Sequence, residues 1–449
     1  MPAPLLSRHA EVLSGRSTEG RHPGTERGKC VECRAAGRSA SMSSRPNLLF
    51  LSHILPYPPH SGATIRTFNV LKQLSKDFDV TLLMFSRRNH QPDLSSREAS
   101  RRALRAMGLD AFEALPVPSE HSRARRIWDH LRSVVTRRAY TFYQYQSREF
   151  RRQLRLALSQ RSHRLIHLDS LDLHGALPDL PSRPIACTHH DIESHALRQR
   201  AALAVSPVRG YIRHQARLIE RTERTLCPGF ATNLVMSEVD RQRLTMLAPA
   251  ARTAVVPNGV DTTFFTPSPN GTEPTGRVIF VGHTSFHPNR DAVEFFLTDI
   301  WPHVRARHPS ATFHLIGRGS ASDQARFAAH AAVKAHDYVP DVRPHLAQAD
   351  CSVVPIRLGS GTRIKILDAW AMGRAVVSTS VGCEGLHAVN GDNILVCDTP
   401  SAFAEAVTEV LTNAELRMRL GERGRQTVEQ HYSWDRVGAR LRELYWQLI

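Results

Sequence analysis

The chain has 449 residues, of which 41% are hydrophobic and 22% are charged, and this is enough apolar material for two or three cores of ordinary size. It contains no run of about 18 or more uncharged apolar residues and no apolar signal-peptide core near its beginning, so a membrane-spanning or exported protein is not expected. The seven cysteines are scattered, and Cys30 and Cys33 form a lone CxxC without a second metal-binding pair. We expect a reducing, cytoplasmic location.

The positive charge is concentrated in one part of the chain. The formal net charge is +17, and residues 87–164 hold 18 Arg, no Lys and 7 acidic residues, which is +11. Residues 1–45 add 8 basic and 4 acidic residues, or +4, so the remainder is near +2. A block this local predicts one basic face. It is interpreted either as an ordinary solvated helix surface or as a dock for an anionic membrane or an acidic acceptor. Nucleic acid is not expected, because no recognised binding motif accompanies the charge.

The first 45 residues predict a disordered extension, because they are rich in Arg, Ser, Gly and Glu and lack periodicity. Met42 lies just before the first strand and is a candidate for the true start. Residues 46–265 predict the first domain. It opens with a buried strand at 47–52, a Pro-rich loop, an amphipathic helix and a second strand at 79–85. This order is typical of a doubly wound α/β domain, and the absence of GxGxxG argues against the dinucleotide-binding type.

The Arg-rich region that follows predicts helices. One helix carries apolar residues on one side: Ile127, Trp128, Leu131, Val134 and Val135. The aromatic stretch 140–145 is predicted to be a loop. Strands are predicted to resume at 165–168 and 184–188, and the second ends in the polar residues 189–193. Because ligands of α/β sheets bind beyond the carboxyl ends of the strands, this run is a candidate site.

A second α/β domain is predicted after a linker at 266–276. It covers residues 277–431, and an amphipathic helix at 432–449 is predicted to pack back toward the first domain. Two α/β domains joined in this way face each other across a cleft.

The segment 359–373 carries most of the functional information. A glycine-flanked loop joins an apolar strand to a helix that contains Lys365 and, one turn later, Asp368. Such a loop presents backbone N–H groups and the positive end of a helix to a phosphate, while Arg363 and Lys365 add positive charge. Asp368 suits a pair of sugar hydroxyls. The segment therefore predicts a site for a nucleoside diphosphate or nucleotide sugar, although taken alone it is also compatible with an ordinary surface loop.

From about residue 46 onward the chain resembles the retaining GT-B glycosyltransferases of family 4, or group 1. The resemblance is carried by these segments in order: 56–62, 188–193, 255–261, 280–282, 337–342 and 359–373. Residues 287–293 are similar to the branch that builds bacterial exopolysaccharides. The family implies two Rossmann-like domains facing across a cleft. It also implies transfer of a sugar from a nucleotide-diphosphate sugar to a lipid-linked or glycan acceptor, with retention of configuration and without a metal or other cofactor.

The resemblance also implies roles for individual residues. Glycines near the phosphates let the backbone approach the donor, basic residues neutralise the diphosphate, Asp368 holds the ribose, Val339 lies beside the base and His190 contacts the transferred sugar. The implied donor-binding residues are Gly62, Ala63, Gly282, Arg290, Val339, Gly359, Ser360, Gly361, Thr362, Arg363, Lys365 and Asp368. The implied catalytic residues are His190, Asp191, Glu193 and Lys365.

The sequence departs from the family pattern in ways that leave alternatives open. The family usually has Glu where this chain has Asp368, and often has an acidic residue where it has Ser360. The basic residue expected after the Val-Gly strand is represented by Arg290. A sugar-nucleotide epimerase of the same fold and a non-catalytic nucleotide-sugar-binding subunit of a polysaccharide assembly complex therefore remain alternatives. The DxD run at 77–79 is interpreted as structural.

Overall fold

The computed structural model describes residues 45–88, 93–267, 276–359 and 363–449. The predicted extension with Met42 and the CxxC cysteines lies outside this range, as does most of the predicted linker. Three of the predicted donor-binding residues, Ser360, Gly361 and Thr362, also lie outside the described residues.

The first domain is built on a parallel sheet of eight strands. Its strands are β1 (Asn47–Ser52), β2 (Asp79–Ser86), β3 (Asp110–Ala111), β4 (Leu115–Pro116), β5 (Leu165–Leu168), β6 (Ile185–Thr188), β7 (Thr232–Val235) and β8 (Thr253–Val255). The order across the sheet is β3-β2-β1-β5-β6-β7-β8, with β4 also paired to β2. The central strands are continuous apolar runs and are buried on both faces, as parallel strands covered by helices require.

Helices cover both faces of this sheet. They are α1 (Gly62–Leu74), α2 (Leu94–Ala106), α3 (Pro118–His121), α4 (Arg123–Thr136), α5 (Tyr140–Gln144), α6 (Arg148–Gln160), α7 (Glu193–Leu203), α8 (Val208–Leu226) and α9 (Glu238–Leu247), with 3-10 turns at Leu171–Asp179 and Cys227–Gly229. The prediction of a loop at 140–145 was wrong, because this stretch contains α5. The buried Tyr143 anchors that short helix, and its hydroxyl is hydrogen-bonded to Thr136 Oγ1 at 2.6 Å.

The second domain repeats the plan with a six-stranded parallel sheet. Its strands are β9 (Arg277–Val281), β10 (Thr312–Ile316), β11 (Val333–His336), β12 (Cys351–Val354), β13 (Ala375–Ser378) and β14 (Leu395–Val396), in the order β11-β10-β9-β12-β13-β14. Its helices are α10 (His287–Phe295), α11 (Trp301–Arg307), α12 (Ala321–Ala328), α13 (Arg343–Ala347), α14 (Ile364–Ala371), α15 (Pro400–Thr412) and α16 (Ala414–His431), with a π-helical turn at Phe296–Ile300. The prediction of two doubly wound α/β domains is confirmed.

The helix α17 (Trp434–Trp446) belongs spatially to the first domain. Its apolar side, which includes Trp434 and Leu441, is buried in one cluster with residues of β1, β2 and α1. Within the predicted DxD run, Asp77 forms an ion pair with Arg442 of α17 at 3.2 Å and accepts a hydrogen bond from Trp446 Nε1 of the same helix at 3.2 Å. These contacts show Asp77 bound to the final helix. None of the helices in the described ranges combines the length and apolarity needed to cross a bilayer.

Candidate active site in the cleft

Each sheet has a switch point, a place where the chain leaves neighbouring strands toward opposite faces. In the first sheet it lies between β1 and β5, and in the second between β9 and β12. Ligands of doubly wound sheets bind beyond the carboxyl ends of the strands at these points. The residues that follow these strand ends therefore define the candidate site.

In the first domain, Asp169 follows β5 and is buried at the centre of the switch point. Its Oδ2 accepts hydrogen bonds from Ser52 Oγ at the end of β1, at 2.9 Å, and from Thr67 Oγ1 on α1, at 2.8 Å. One carboxylate thus ties together two strand ends and the first helix. This fixes the direction in which the N-terminus of α1 points.

Three imidazoles surround the same carboxylate. Oxygens of Asp169 lie 3.6 Å from His53 Nδ1, 3.8 Å from His167 Nε2 and 3.7 Å from His190 Nε2. Burial by itself would raise the pKa of Asp169, but the interactions with these rings hold its pKa well below the ordinary value. Burial lowers the pKa of His53 and of His167, so both rings are neutral at pH 7. The site therefore contains a fixed negative charge beneath neutral rings.

His190 is positioned by a backbone contact. Its Nε2 lies 2.8 Å from the carbonyl oxygen of Asp169. A carbonyl can only accept, so Nε2 carries the proton, and Nδ1 is the ring position left for a ligand. The ring is partly exposed, unlike the two rings behind it. His190 is thus the one of the three that is presented to the cleft.

The C-terminal helix reaches the underside of this cluster. The hydroxyl of Tyr445 is hydrogen-bonded to His167 Nδ1, and both side chains are fully buried. Thr188 Oγ1 contacts the other nitrogen of His167 at 3.3 Å. The position of His167 is therefore set from both sides, and α17 contributes directly to the scaffold of the site.

Two acidic residues follow His190. Glu193 is the first residue of α7, and burial raises its pKa well above the ordinary value, with Asp172 and Asp191 adding to the effect. Burial therefore favours the neutral, protonated form of Glu193. Asp191 is the strongest charge acting on Arg363 of the second domain, where it opposes the lowering of the Arg363 pKa by burial. Asp191 and Arg363 therefore attract each other across the cleft.

The first domain's share of the cleft also contains an Arg and a Tyr that sequence reasoning did not identify. Arg87, after β2, donates from Nη2 to the hydroxyl of Tyr145 at 2.5 Å. The Tyr145 ring centroid lies 6.4 Å from that of His53. This pair extends the site from His53 toward α5 and α6.

The N-termini of two helices from different domains meet in the cleft. A Cβ placed on Gly62, at the start of α1, would lie 3.7 Å from Ile364 Cδ1, at the start of α14. Neither helix has an acidic residue in its first turn. First turns leave backbone N–H groups without intrahelical acceptors and carry the positive end of the helix dipole. Two such ends side by side form a place suited to an anion. Ala63 lies in the first turn of α1, next to Gly62.

The basic residues of α14 lie beside this meeting point. Arg363 is buried and donates from Nη2 to the carbonyl oxygen of Gly359 at 2.7 Å. Gly359 has φ +98°, a conformation that side chains disfavour, so this turn requires glycine. Gly359 is therefore held against the guanidinium of Arg363.

Lys365 and Asp368 occupy one side of α14, close to the end of β9. Lys365 Nζ donates to Asn289 Oδ1 at 2.8 Å and lies 4.8 Å from the centre of the Phe280 ring. Burial, with help from Arg363, lowers the pKa of Lys365 to about 7. Burial raises the pKa of Asp368 to about 7. Both groups therefore titrate near neutrality, which makes their charge sensitive to a ligand.

The remaining predicted donor residues lie around the same strand ends. Gly282 follows β9, and a Cβ there would come within 2.9 Å of Asn289 Nδ2, the residue that holds Lys365. Arg290 lies on α10, where its guanidinium pairs with Asp323 at 2.9 Å. Val339 follows β11 and is partly buried against the second core. The structure thus places the predicted donor residues of the second domain around the carboxyl ends of its strands, with Arg290 paired to Asp323.

Further contacts join the domains. Arg243 on α9 forms an ion pair with Glu384 of the second domain at 2.8 Å. A Cβ on Gly385 would come within 2.7 Å of Ser237 Cβ, so the backbones approach closely there. These contacts hold the two domains together beside α9.

Within the described residues, one group of side chains could in principle bind a metal ion. It consists of His53, Asp169 and His190, whose candidate ligand atoms all lie within 4.8 Å of one another. The fit is poor, because His190 Nε2 carries a proton that it donates to a carbonyl, and Asp169 Oδ2 already accepts from two hydroxyls. The geometry favours a positioning role for Asp169.

Two of the residues that sequence reasoning missed could have been found from their positions in the sequence. His53 and Asp169 follow β1 and β5 just as His190 follows β6, so the rule about carboxyl strand ends applies to all three. The contacts of Tyr445 and Thr67 had no comparable signal, since they depend on which helices pack against the sheet.

Comparison with solved structures defines the fold. The fold resembles sucrose-phosphate synthase from Thermosynechococcus elongatus, with a TM-score of 0.65 and 16% identity over 90% of this chain and 99% of the other. It also resembles WaaG, a glycosyltransferase involved in lipopolysaccharide biosynthesis, with a TM-score of 0.60 and 14% identity over 88% of this chain and 99% of WaaG. Anabaena HepE, solved with UDP and glucose, gives a TM-score of 0.63 and 13% identity over 90% of this chain and 100% of HepE. The fold is GT-B, as predicted.

Sequence comparison assigns part of the chain to a family. The family described as "Glycosyl transferases group 1" matches residues 275–413. The lipopolysaccharide core biosynthesis glycosyltransferase LpsE of Rhizobium meliloti is 30% identical over 168 residues, which is 35% of this chain and 45% of LpsE. A GDP-mannose-dependent alpha-(1-6)-phosphatidylinositol monomannoside mannosyltransferase of Mycobacterium tuberculosis is 26% identical over 319 residues, 61% of this chain and 81% of that protein. The chain thus spans under half of the first relative and most of the second. These matches support the group 1 glycosyltransferase family for this chain.

Proposed function

We propose that this protein is a glycosyltransferase that moves a sugar from a nucleoside-diphosphate sugar to an acceptor hydroxyl, with retention of configuration. The observation that carries the proposal is the meeting of the α1 and α14 N-termini across the cleft, with Arg363 and Lys365 beside it. A diphosphate needs positive charge and N–H donors, and this place offers both. The descriptions of the relatives, which include a lipopolysaccharide-core glycosyltransferase and a GDP-mannose-dependent enzyme, support the same conclusion.

The chemistry follows from the charge that develops during transfer. The bond between the anomeric carbon and the β-phosphate oxygen breaks, a bond to the acceptor oxygen forms, and the acceptor proton passes to the leaving phosphate. The anomeric carbon becomes oxocarbenium-like while the diphosphate gains negative charge. Fixed cations and N–H dipoles at that diphosphate therefore stabilise the transition state more than the ground state. In this chain Arg363, Lys365 and the two helix N-termini supply them without a metal.

The other predicted residues take roles around the donor. Asp368 holds the ribose hydroxyls, and Val339 lies beside the base. His190 presents Nδ1 to the transferred sugar, with Asp191 and Glu193 nearby. Gly62 and Ala63 at the start of α1, and the glycines of the second domain, let the backbone approach the phosphates.

We further propose a lipid-linked or glycan acceptor met at the cytoplasmic face of a membrane, in exopolysaccharide or other cell-envelope synthesis. The first domain carries the Arg-rich region 87–164, whose net charge of +11 suits an anionic surface.

The test replaces Lys365 with Ala. Removing one preorganised donor of this kind typically costs about 2.7–4 kcal/mol in transition-state stabilisation, so turnover should fall roughly 100–1000-fold. The matched control is Lys334→Ala, which removes an exposed lysine from β11 of the same domain. Acceptor-dependent release of nucleoside diphosphate measures turnover, and NMR of the anomeric proton in the product reports retention or inversion. Near-wild-type turnover of the Lys365→Ala variant would contradict the phosphate assignment.

The same assay separates the alternative functions. An epimerase converts nucleotide sugars without an added acceptor, and a binding subunit binds the nucleotide without releasing diphosphate. Asp368 in place of the usual Glu is the feature that keeps the binding-subunit alternative open. Acceptor-dependent release by the wild-type protein excludes both.

A further inference from the structure

The helix α4 is oriented with its apolar side toward solvent. Its buried positions are the polar residues Asp129 and Ser133, which are completely buried. The apolar side chains on the opposite side are all exposed: Ile127, Trp128, Leu131, Val134 and Val135, with Trp128 at 61% and Val135 at 83%. An ordinary surface helix has the reverse arrangement. The interpretation of the Arg-rich helices as conventionally packed is therefore wrong for α4.

Specific polar contacts hold α4 in this orientation. Asp129 accepts from Arg125 Nε at 2.8 Å, one turn away on the same helix. Ser133 Oγ receives a hydrogen bond from Gln215 Nε2 of α8 at 2.8 Å, and it donates to the carbonyl oxygen of Arg138 at 2.7 Å. Turning the helix over would break the contact with α8 and leave the polar groups of Ser133 and Gln215 without each other, which is costly. Defined contacts therefore hold the apolar face of α4 toward solvent.

Basic residues frame the apolar side chains. Five arginines in and just after α4 are exposed: Arg123, Arg126, Arg132, Arg137 and Arg138. The one acidic residue of the helix, Asp129, is buried and paired with Arg125. The outward face therefore combines large apolar side chains with positive charge and offers no exposed carboxylate.

We propose that the outward face of α4 docks on the surface of an anionic lipid bilayer, with the helix parallel to the membrane plane. Ile127, Trp128 and Leu131 enter the boundary between headgroups and acyl chains, and the arginines bind lipid phosphates. Apolar anchors framed by basic residues, with no opposing acidic charge, are the pattern of an interfacial helix.

A second copy of the chain fits this face less well. A helix of 14 residues is about 21 Å long and about 10 Å wide, so its outward face covers roughly 200 Å². A stable protein interface buries about 800 Å² per partner. Two copies meeting here would also oppose arginine to arginine. Size and charge therefore favour a lipid surface.

The docking face is connected to the candidate active site. Arg125 Nη2 lies 3.5 Å from the carbonyl oxygen of Gln146, the neighbour of Tyr145 in the chain. The Tyr145 hydroxyl is bonded to Arg87, and its ring faces His53 in the cleft. An acceptor held by the bilayer would thus meet the cleft from the side of the first domain. This last step rests on the proposed function, whereas docking itself does not.

The experiment measures vesicle binding by the full-length protein. Flotation with unilamellar vesicles of phosphatidylcholine, with and without phosphatidylglycerol, gives the bound fraction. The test variant is Trp128→Gln with Leu131→Gln. The control is Met246→Gln with Met418→Gln, which changes two exposed apolar residues away from α4. All four positions are exposed, so both variants should keep the wild-type melting temperature.

We expect the wild type and the control to bind vesicles containing phosphatidylglycerol, less strongly as salt rises, and to bind phosphatidylcholine weakly. The test variant should bind vesicles about tenfold more weakly, or weaker still. Burying half of one large apolar side chain changes the affinity by a factor of up to about ten. Equal binding by test variant and wild type would overturn the proposal, as would equal binding to both kinds of vesicle. Absence of vesicle binding, with a dimer that the test variant abolishes, would assign the face to a second copy.

A nucleotide-sugar thermal-shift measurement on the same samples separates the two proposals. Stabilisation by nucleotide sugar without vesicle binding overturns membrane docking alone. Vesicle binding without a nucleotide-dependent shift overturns the proposed function alone.

Discussion

Donor binding should draw a proton onto Lys365. Burial lowers the pKa of this ammonium to about 7, so at pH 8 most of the unliganded protein has a neutral amine there. A bound diphosphate adds negative charge beside it, which favours the ammonium and raises its pKa toward the ordinary 10.5. The group is therefore charged in both states well below pH 7. Above pH 7 only the complex keeps the charge, and affinity falls as pH rises.

The magnitude follows from the two pKa values. At pH 8 about one-tenth of the free protein carries the proton, so binding should take up about 0.9 proton per site. Between pH 7 and pH 9 the fraction of protonated free protein falls from about one-half to about one-hundredth. The affinity for a nucleotide sugar should therefore fall on the order of 50-fold over that interval.

Titration calorimetry in two buffers of different ionisation enthalpy measures the proton uptake. A nucleotide sugar is the correct ligand, because its phosphates do not titrate in this range. The Lys365→Met variant should bind more weakly and take up no proton, and Lys334→Met should behave as wild type. Asp368 also titrates near pH 7, so Asp368→Asn should remove any weakening below pH 7 and shift the upper limb to lower pH. Binding by the wild type at pH 8 without proton uptake would refute the placement of the diphosphate at Lys365.

Two further substitutions test the cleft and its scaffold. Gly62→Ala should leave the melting temperature unchanged or raise it, because the new methyl finds Ile364 at an ordinary 3.7 Å. It should weaken nucleotide-sugar binding by calorimetry about tenfold or more, and unchanged affinity would remove the start of α1 from the donor site. Tyr445→Phe should lower stability by about 1–3 kcal/mol, because it leaves the buried His167 Nδ1 without its partner. Thermal unfolding measures this change against Tyr338→Phe, an exposed control, and equal melting temperatures would contradict the importance of the contact.

The fold was accessible from sequence because its signals are local. Each central strand is a short apolar run, and each is followed by a turn and an amphipathic helix, so the alternation of the two domains can be read along the chain. The helix that contains Lys365 could be predicted for the same reason. The face of a helix that points toward the protein, by contrast, is not determined by local sequence. Which face of α4 points inward depends on Gln215 of α8, which lies 82 residues from Ser133.

The charge states of the site residues could not be predicted from the sequence either. Lys365 and Asp368 are recognisable as candidates from their spacing, but their pKa values near 7 arise from burial by surrounding elements. Likewise Asp169 is an unremarkable residue after a strand until β1, α1 and β6 converge on it. Sequence patterns identify the groups, and packing determines their protonation.

The packing of α17 on the first domain has a consequence for synthesis of the chain. The core that contains β1 and β2 also contains Trp434, Leu441 and Tyr445, which the ribosome adds about 180 residues after the first domain's other elements. At a synthesis rate of about 5–20 residues per second, this leaves an interval of roughly 10–40 s. In that interval the second domain can fold while the core of the first domain lacks the side chains of α17. Nascent chains halted before residue 434 should therefore expose apolar surface of β1 and α1 to chaperones, and the order of folding along this chain runs from the second domain to the first.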